Sequence, residues 1–272
     1  MPSSQSRVFM PLVLVRGTGD IGSSVAHALY RSGYGVVMHD APRPAHSRRG
    51  VAYVDALYDR TVEVEGVLGK RAKTLTYLGH MIGCRRAVPV LDVPLESLLT
   101  AMHPDVLVDA RMRKRERPES QRGLAPLTIG LGPNFDAGAN ADAVVETGWG
   151  DDLGTVLWAG KTRDLAGEPQ SIAGHARDRY VYAPVAGVFS TALNIGGLVA
   201  QGQEVARVGD TLLHAPLSGA LRGLTHDGAS VVRGTKVIEV DPRGGSGSIF
   251  RFGERPRRIA EGVLAAVRSK NP

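Results

Sequence analysis

Apolar positions along the first half of the chain follow two rhythms. Leu12–Val15 is a short apolar run ending at a glycine turn, and Val25, Ala26, Leu29 and Tyr30 then recur at helical spacing as far as Gly33. That predicts a buried strand, a turn and a helix with a glycine stop. Gly35–Asp40 reads as a second strand and Val51–Tyr58 as a short helix. Thr61–Leu68 alternates and turns at its glycine, as a strand or hairpin does. Further strands are predicted at Ala87–Leu91, Asp105–Asp109 and Leu127–Leu131, with a helix over Leu95–Met102; Ala143–Glu146 and Thr155–Ala159 add one or two more. Alternating strands and helices predict an α/β domain with a doubly wound, mainly parallel sheet over residues 1–165. The polar stretch Leu165–Arg179, with Gly167, Pro169 and Gly174, reads as a domain boundary. Near the end, Ile259, Val263, Leu264 and Val267 share one helical face, so a helix over residues 254–268 is expected to pack back on the first domain.

Between these lies a repeat of period 32. Ala183-Pro184-Val185-Ala186-Gly187-Val188 recurs as Ala215-Pro216-Leu217-Ser218-Gly219-Ala220. The same offset pairs Gly196 with Gly228, Val199 with Val231, Gly202 with Gly234, Val205 with Val237 and Val208 with Val240. Two copies are too few for a solenoid, so two half-units closing on each other are expected over residues 180–245. The pattern resembles lipoyl and biotinyl hammerhead domains, which implies a small β-barrel (a barrel-sandwich hybrid). Carriers of that type hold the cofactor on a lysine between the halves. Here that segment reads Val208-Gly209-Asp210-Thr211-Leu212-Leu213-His214, and the nearest lysine is Lys236. No covalently attached lipoate or biotin is expected, and an interaction module replaces the carrier reading.

Composition adds a few bounds. Apolar residues make up 43% of the 272, enough for a sizeable core, while the 5% aromatic share argues against a surface for stacking single-stranded bases. The net charge is +6, and of the 33 basic residues six are lysine and 27 arginine. Guanidinium forks suit phosphate and carboxylate, but without a basic stripe or recognition motif no nucleic-acid partner is expected. Cys84 stands alone, which excludes an intramolecular disulfide and a multi-cysteine metal site; a buried structural thiol is expected. No run approaches the ~20 apolar residues of a membrane helix and no leader is evident, so a cytoplasmic protein without membrane contact is expected.

The chemistry-bearing candidates collect after strand ends. Gly17-x-Gly19-x-x-Gly22 lies between a predicted strand and helix, the dinucleotide-binding, Rossmann-like arrangement. There the first glycine makes the turn, the second admits phosphate and the third lets helix and strand pack. Asp40 follows 18 residues after Gly22, close to the spacing of a ribose-binding carboxylate. Asp20 opposes this, because a carboxylate in the first helical turn satisfies the dipole itself and repels phosphate. A second loop, Gly130-Leu131-Gly132-Pro133-Asn134, follows a later strand and either faces the same crevice or is an ordinary loop. Asp109 and Arg111 stand at the rim of the sheet. The charges that follow, Arg113 to Arg117, read as a solvated helix face or a partner-binding surface. His80 with Cys84 and Asp210 with His214 are spaced four apart but lack a third ligand, and no metal site is expected. No nucleophile elbow, phosphate loop of the lysine type or zinc-protease motif is present.

Taken in order, several stretches resemble a family of bacterial accessory proteins of selenium-dependent molybdenum hydroxylases. They are Arg16–Ala26, Arg48–Tyr58, Thr61–Val67, Pro104–Met112, Ala125–Gly138, Ala143–Thr147 and Asp241–Arg243. The resemblance implies a maturation factor for a xanthine-dehydrogenase-type molybdenum enzyme, with that enzyme as protein partner and a homo-oligomer left open. It implies a nucleotide, or a nucleotide-bearing cofactor such as a molybdenum cofactor dinucleotide, as ligand. It also moves weight onto Asp20, Arg48, Arg49, Asp109, Arg111, Lys114, Glu146 and Thr147 as site residues. After Thr147 the chain departs from the family's pattern, reading Gly148-Trp149-Gly150-Asp151. Two other readings stay open: an NAD-dependent oxidoreductase, in which Asp40 selects the nicotinamide nucleotide without a 2′-phosphate but no acid–base partner is evident, and a non-catalytic scaffold or docking protein.

Overall fold

The computed structural model describes residues 11–113, 116–164 and 169–270, so Lys114 and Arg115 lie outside the described residues. In chain order the first region contains β1 (Leu12–Arg16), α1 (Asp20–Arg31), β2 (Gly35–His39), α2 (Ala56–Asp59), β3 (Thr61–Val64) and β4 (Val67–Arg71). Then come α3 (Leu78–Cys84), β5 (Val88–Leu91), α4 (Leu95–Met102), β6 (Val106–Asp109) and β7 (Leu127–Leu131). The short strands β8 (Asp136–Ala137), β9 (Ala143–Val145), β10 (Val156–Leu157) and β11 (Gly160–Lys161) complete it.

Nine of these strands form one sheet in the order β10-β9-β7-β6-β1-β2-β5-β4-β3. The apolar runs explain why both faces are covered. Successive side chains of a strand point to opposite faces, so Val13 and Val15 enter one core while Leu14 enters the other. Val106 and Val108 against Leu107 repeat the division. The sheet is mixed: its six interior ladders are parallel, while at the two edges β3 pairs antiparallel with β4, and β10 antiparallel with β9. Val51–Tyr58 is not one helix. Ala52 is extended, and the Tyr53 N–H donates to Ser23 Oγ at 2.8 Å instead of continuing a helical ladder.

The second region holds β12 (Tyr180–Tyr182), β13 (Gly187–Ser190), β14 (Leu198–Val199), β15 (Glu204–Val208), β16 (Thr211–His214), β17 (Gly219–Leu224), β18 (Ser230–Val231) and β19 (Lys236–Asp241). They make two separate four-stranded antiparallel sheets, β12-β19-β17-β14 and β16-β15-β13-β18. The single closed barrel of the hammerhead expectation is thereby corrected: among the described residues no ladder joins the two sheets. The repeat explains their likeness, because a shift of 32 carries β12, β13, β14 and β15 onto β16, β17, β18 and β19. Each half lends its first and third strands to the other, β12 pairing with β19 and β14 with β17, and β16 with β15 and β18 with β13. Phe189, Val208, Leu221, Leu224 and Val240 fill the one core between the sheets.

The final helix, α5 (Glu254–Lys270), lies against α1 and the β9 end of the large sheet. Ile259, Val263 and Val267 join the same core as Val25 and Leu29 of α1. Among the described residues no helix is long and apolar enough to cross a membrane. The seat of α5 depends on two glycines: a Cβ on Gly262 would lie 2.1 Å from the Gly154 carbonyl oxygen, and one on Gly154 2.4 Å from the Arg258 carbonyl oxygen. Gly262→Ala gains helix propensity yet overpacks this contact, so it is expected to lower stability by about 1–3 kcal/mol. Urea unfolding would show it as a lower midpoint at unchanged slope.

Candidate anion site at the carboxyl edge of the sheet

The turn after β1 is built by close backbone approach. A Cβ on Gly22 would lie 2.0 Å from the Gly17 carbonyl oxygen, and one on Gly17, whose φ is +103°, 2.9 Å from the Ala110 carbonyl. Both glycines are therefore needed for packing. Gly19 is the N-cap of α1, and His46 covers it: a Cβ there would meet His46 Nδ1 at 3.0 Å. Gly19 has no side chain to cap the helix, and Asp20 is the acidic residue of its first turn. Asp40, buried at the end of β2, accepts from the Thr18 N–H (2.6 Å), the Thr18 hydroxyl (2.7 Å) and His46 Nε2 (2.8 Å) through Oδ2, and from the Ala41 N–H (2.8 Å) through Oδ1. Both its oxygens are thus engaged within the chain. Burial would raise the Asp40 carboxyl, but the charge and hydrogen bond of His46 and the Thr18 donors hold it far below the usual range. Burial likewise works against the His46 cation; the charge and hydrogen bond of Asp40, with the charge of Asp20, outweigh it and raise His46.

One strand over, the ends of β1 and β6 bring a cluster of arginines together. Arg16, paired in register with Asp109, is buried; its Nη1 donates to Gln121 Oε1 (2.5 Å) and Glu119 Oε1 (3.2 Å) and lies 3.9 Å from Asp109 Oδ2. Its Nε is buried without a hydrogen-bond partner. Arg111 grips Asp109 with two nitrogens, Nε to Oδ1 at 3.0 Å and Nη2 to Oδ2, and Nη2 also donates to Glu119 Oε1 at 2.6 Å. Arg113 donates to Glu119 Oε2. Three guanidinium groups therefore converge on one carboxylate. The side chains of Arg16, Arg111 and Arg113 are 8%, 21% and 27% exposed, whereas that of Glu119 is 50% exposed. Burial would raise Glu119, but hydrogen bonds from Arg111 and Arg113 hold it far below the carboxylate range. Burial, then the charge of Arg111, lowers Arg16; burial opposes the charge on Arg111, which Asp109 and Glu119 outweigh and raise.

The remaining sequence candidates are spread. Gly130 packs flat on Phe135, whose ring a Cβ would meet at 2.2 Å, and Gly132 has φ +104° beside Met112 and Thr147. Asn134 donates to the Glu116 carbonyl at 3.1 Å. Glu146 is buried and accepts from the backbone N–H groups of Gly148 (2.6 Å) and Arg163 (2.8 Å). The Thr147 carbonyl accepts from Arg255 Nε at 2.7 Å. Arg48 reaches the Arg222 carbonyl in the second region, whereas Arg49 pairs with Asp55 at 2.6 Å within the first. Arg113, expected on a solvated helical face, instead sits in an irregular segment on Glu119; Cys84, expected buried, is exposed. Arg16, Glu119, Gln121 and His46 escape the sequence reading, since no motif marks them.

No family model matches the sequence. The uncharacterized protein YqeB of Escherichia coli K12 is 38% identical over 256 residues, covering 94% of this chain and 47% of that protein. The chain thus spans about half the length of the curated relative it matches. Among solved structures, the product-bound ectoine utilization protein EutE (DoeB) from Ruegeria pomeroyi shares 14% identity over 85% of each chain with a TM-score of 0.24. A succinylglutamate desuccinylase from Silicibacter sp. TM1040 shares 13% over 85% of this chain and 84% of its own, with a TM-score of 0.24. A succinylglutamate desuccinylase/aspartoacylase from Rhodobacter sphaeroides shares 17% over 85% of each, with a TM-score of 0.25. These findings correct the expected kinship with accessory proteins of selenium-dependent molybdenum hydroxylases: the matched structures are EutE and proteins of the succinylglutamate desuccinylase and aspartoacylase type. The maturation role, its nucleotide-bearing cofactor and the association with molybdenum and selenium go with it. At TM-scores of 0.24–0.25 the likeness carries no activity to this chain.

The Asp40–His46 pair yields a pH signature. His46 is raised, so its contribution is complete below its unfolded value of about 6.5 and is lost as pH climbs through the folded value. Asp40 is depressed, so its contribution is present above about 3.9 and is lost only as pH falls through the folded value. The stability gap between wild type and His46→Gln is therefore expected to be widest at about pH 5–6 and to narrow steadily on the alkaline side. Urea denaturation of both proteins from pH 5 to 9 checks this; a gap that widens with pH contradicts the assignment.

Proposed function

We propose that the chain binds a small molecule through a phosphate or carboxylate group at the Arg16–Arg111–Arg113 cradle. The observation that carries this reading is the convergence of three guanidinium groups on the single half-exposed carboxylate of Glu119. Guanidinium forks match carboxylate and phosphate oxygens in geometry and charge. The cradle also stands where ligands bind in open α/β sheets: outside the carboxyl ends of the strands, at the point where the connections change direction. That point is β1, flanked in parallel by β2 on one side and β6 on the other. Asp109 is too buried to serve an arriving anion and acts as the brace that aims Arg111. Glu119 fills the cradle from the surface, holding the arginines in place until a ligand anion displaces it.

Titration calorimetry with inorganic phosphate and with succinate tests this. Arg113→Ala is the cleaner probe, because Arg111→Ala strands the buried Asp109 carboxylate and costs on the order of 3 kcal/mol of stability. Arg113→Ala is expected to weaken anion binding about tenfold, the loss of one charge-assisted contact. Arg117→Ala, on an exposed side chain, is expected to leave it unchanged. Glu119→Gln is expected to tighten it, since the internal competitor loses its charge. Equal affinity in Arg113→Ala and Arg117→Ala, or weaker binding in Glu119→Gln, contradicts the reading.

A further inference from the structure

A second place on the molecule has the makings of a site and is independent of the arginine cradle. Between the large sheet and the second region lies a cleft of about 420 Å³, lined among others by Arg43, Tyr58, Arg71, Asp92 and His226. It opens beside the carboxyl ends of β2 and β5, and the loop after β17 supplies its far wall. At its rim Asp55, Asp59 and His226 each offer one ligand atom, and these atoms all lie within 4.8 Å of one another.

The imidazole is oriented for a ligand's role. His226 Nδ1 is 2.7 Å from the Asp227 carbonyl oxygen, which only accepts, so Nδ1 carries the proton. Nε2 is then directed at Asp59, 3.2 Å from Oδ1 and 3.1 Å from Oδ2. Nε2 and the Asp59 oxygens thus face each other at a distance that a shared cation, proton or metal ion, can span. Metal-bound histidines are held in this manner, one ring nitrogen on a backbone carbonyl and the other on the ion. The ring is fixed further by stacking on Tyr58, with centroids 3.9 Å apart and planes 12° from parallel. Asp55 is pinned by Arg49 through Oδ1 at 2.6 Å, so its second oxygen remains for an ion. Asp55 and Asp59 are four residues apart around the single turn of α2, which puts both carboxylates on one side.

We propose that Asp55, Asp59 and His226 bind one divalent transition-metal ion of the manganese or zinc class at the rim of this cleft. One imidazole and two carboxylates suit those ions. Three protein ligands leave further coordination positions open, as sites that act on a substrate do and closed structural sites do not. The cleft supplies the room beside them, and Arg43 and Arg71 line it with positive charge.

Titration calorimetry of the full chain with manganese and with zinc chloride, after dialysis against chelator, tests the proposal. Wild type is expected to bind one equivalent of at least one of the two ions, and Asp59→Asn and His226→Ala to weaken it at least about tenfold. Asp59→Asn is the variant that keeps the fold, because its side chain is 54% exposed and its amide still meets the ring. His175→Ala, removing an exposed histidine paired only with Asp178, is the control for adventitious binding and is expected to change nothing. No binding of either ion by wild type, or equal affinity in Asp59→Asn and wild type, overturns the proposal and leaves a plain ion pair between an imidazolium and Asp59. Because the cradle variants read phosphate and succinate and these read metal, either proposal can fail alone.

Discussion

The contact on which the first region turns is the one between the Gly17–Gly22 bend and the backbone of Ala110. With no side chain at Gly17 or Gly22, the chain leaving β1 folds tightly enough for α1 to lie on the sheet while touching the residue just beyond β6. Arg16 and Asp109 then stand in register at adjacent strand ends, and Arg111 and Arg113 follow within one short irregular segment. Placing like charges so close costs free energy, which the structure offsets with Asp109 from below and Glu119 from above. The Arg16 Nε left without a partner shows that this balance is incomplete in the buried half of the cradle.

The segment from Asp40 to Arg49 couples this edge to the second region. Its start is tied down by Asp40 and Thr18, and His46 closes over Gly19. Its end crosses to the second region, where the Ser47 carbonyl accepts from the Leu224 N–H at 2.7 Å and Arg48 from the first region reaches the Arg222 carbonyl. Beneath that junction lies a buried ionic network in which Glu239 meets Arg179 and Lys236, and Asp241 meets Arg243. Burial would raise Glu239, but the charges of Lys236, Arg48 and Arg222 hold it far below the ordinary carboxylate range. Removing one partner from such a network leaves an uncompensated buried charge, so the junction resists being opened one contact at a time.

Much of the architecture was legible in the chain. β1, α1, β2, β7 and α4 fall where hydrophobic periodicity predicts them, because side-chain direction repeats every two residues in a strand and every 3.6 in a helix. The period-32 repeat announced two like halves, and the structure interleaves them in two like sheets, each built from two strands of either half. The apolar face of α5 demanded a partner and found α1. Helix α3 was missed, since Gly79 and Gly83 within it weaken the local signal.

What the sequence determined by itself is therefore local: which segments are strands or helices, where glycine must turn the chain, and which faces must be buried. Tertiary structure alone decided which edges pair antiparallel, that the halves of the repeat exchange strands without closing into a barrel, and what each charged group meets. The motif Gly17-x-Gly19-x-x-Gly22 suits an approaching phosphate and a packed backbone equally well, and His46 over Gly19 is a neighbour that spacing does not reveal. His226 meets Asp59 across 167 residues, and Glu119 meets Arg16 across 103. A side chain's local pattern records whether it is buried, whereas its partner is selected by which distant strand end or loop the folded backbone brings within about 3 Å.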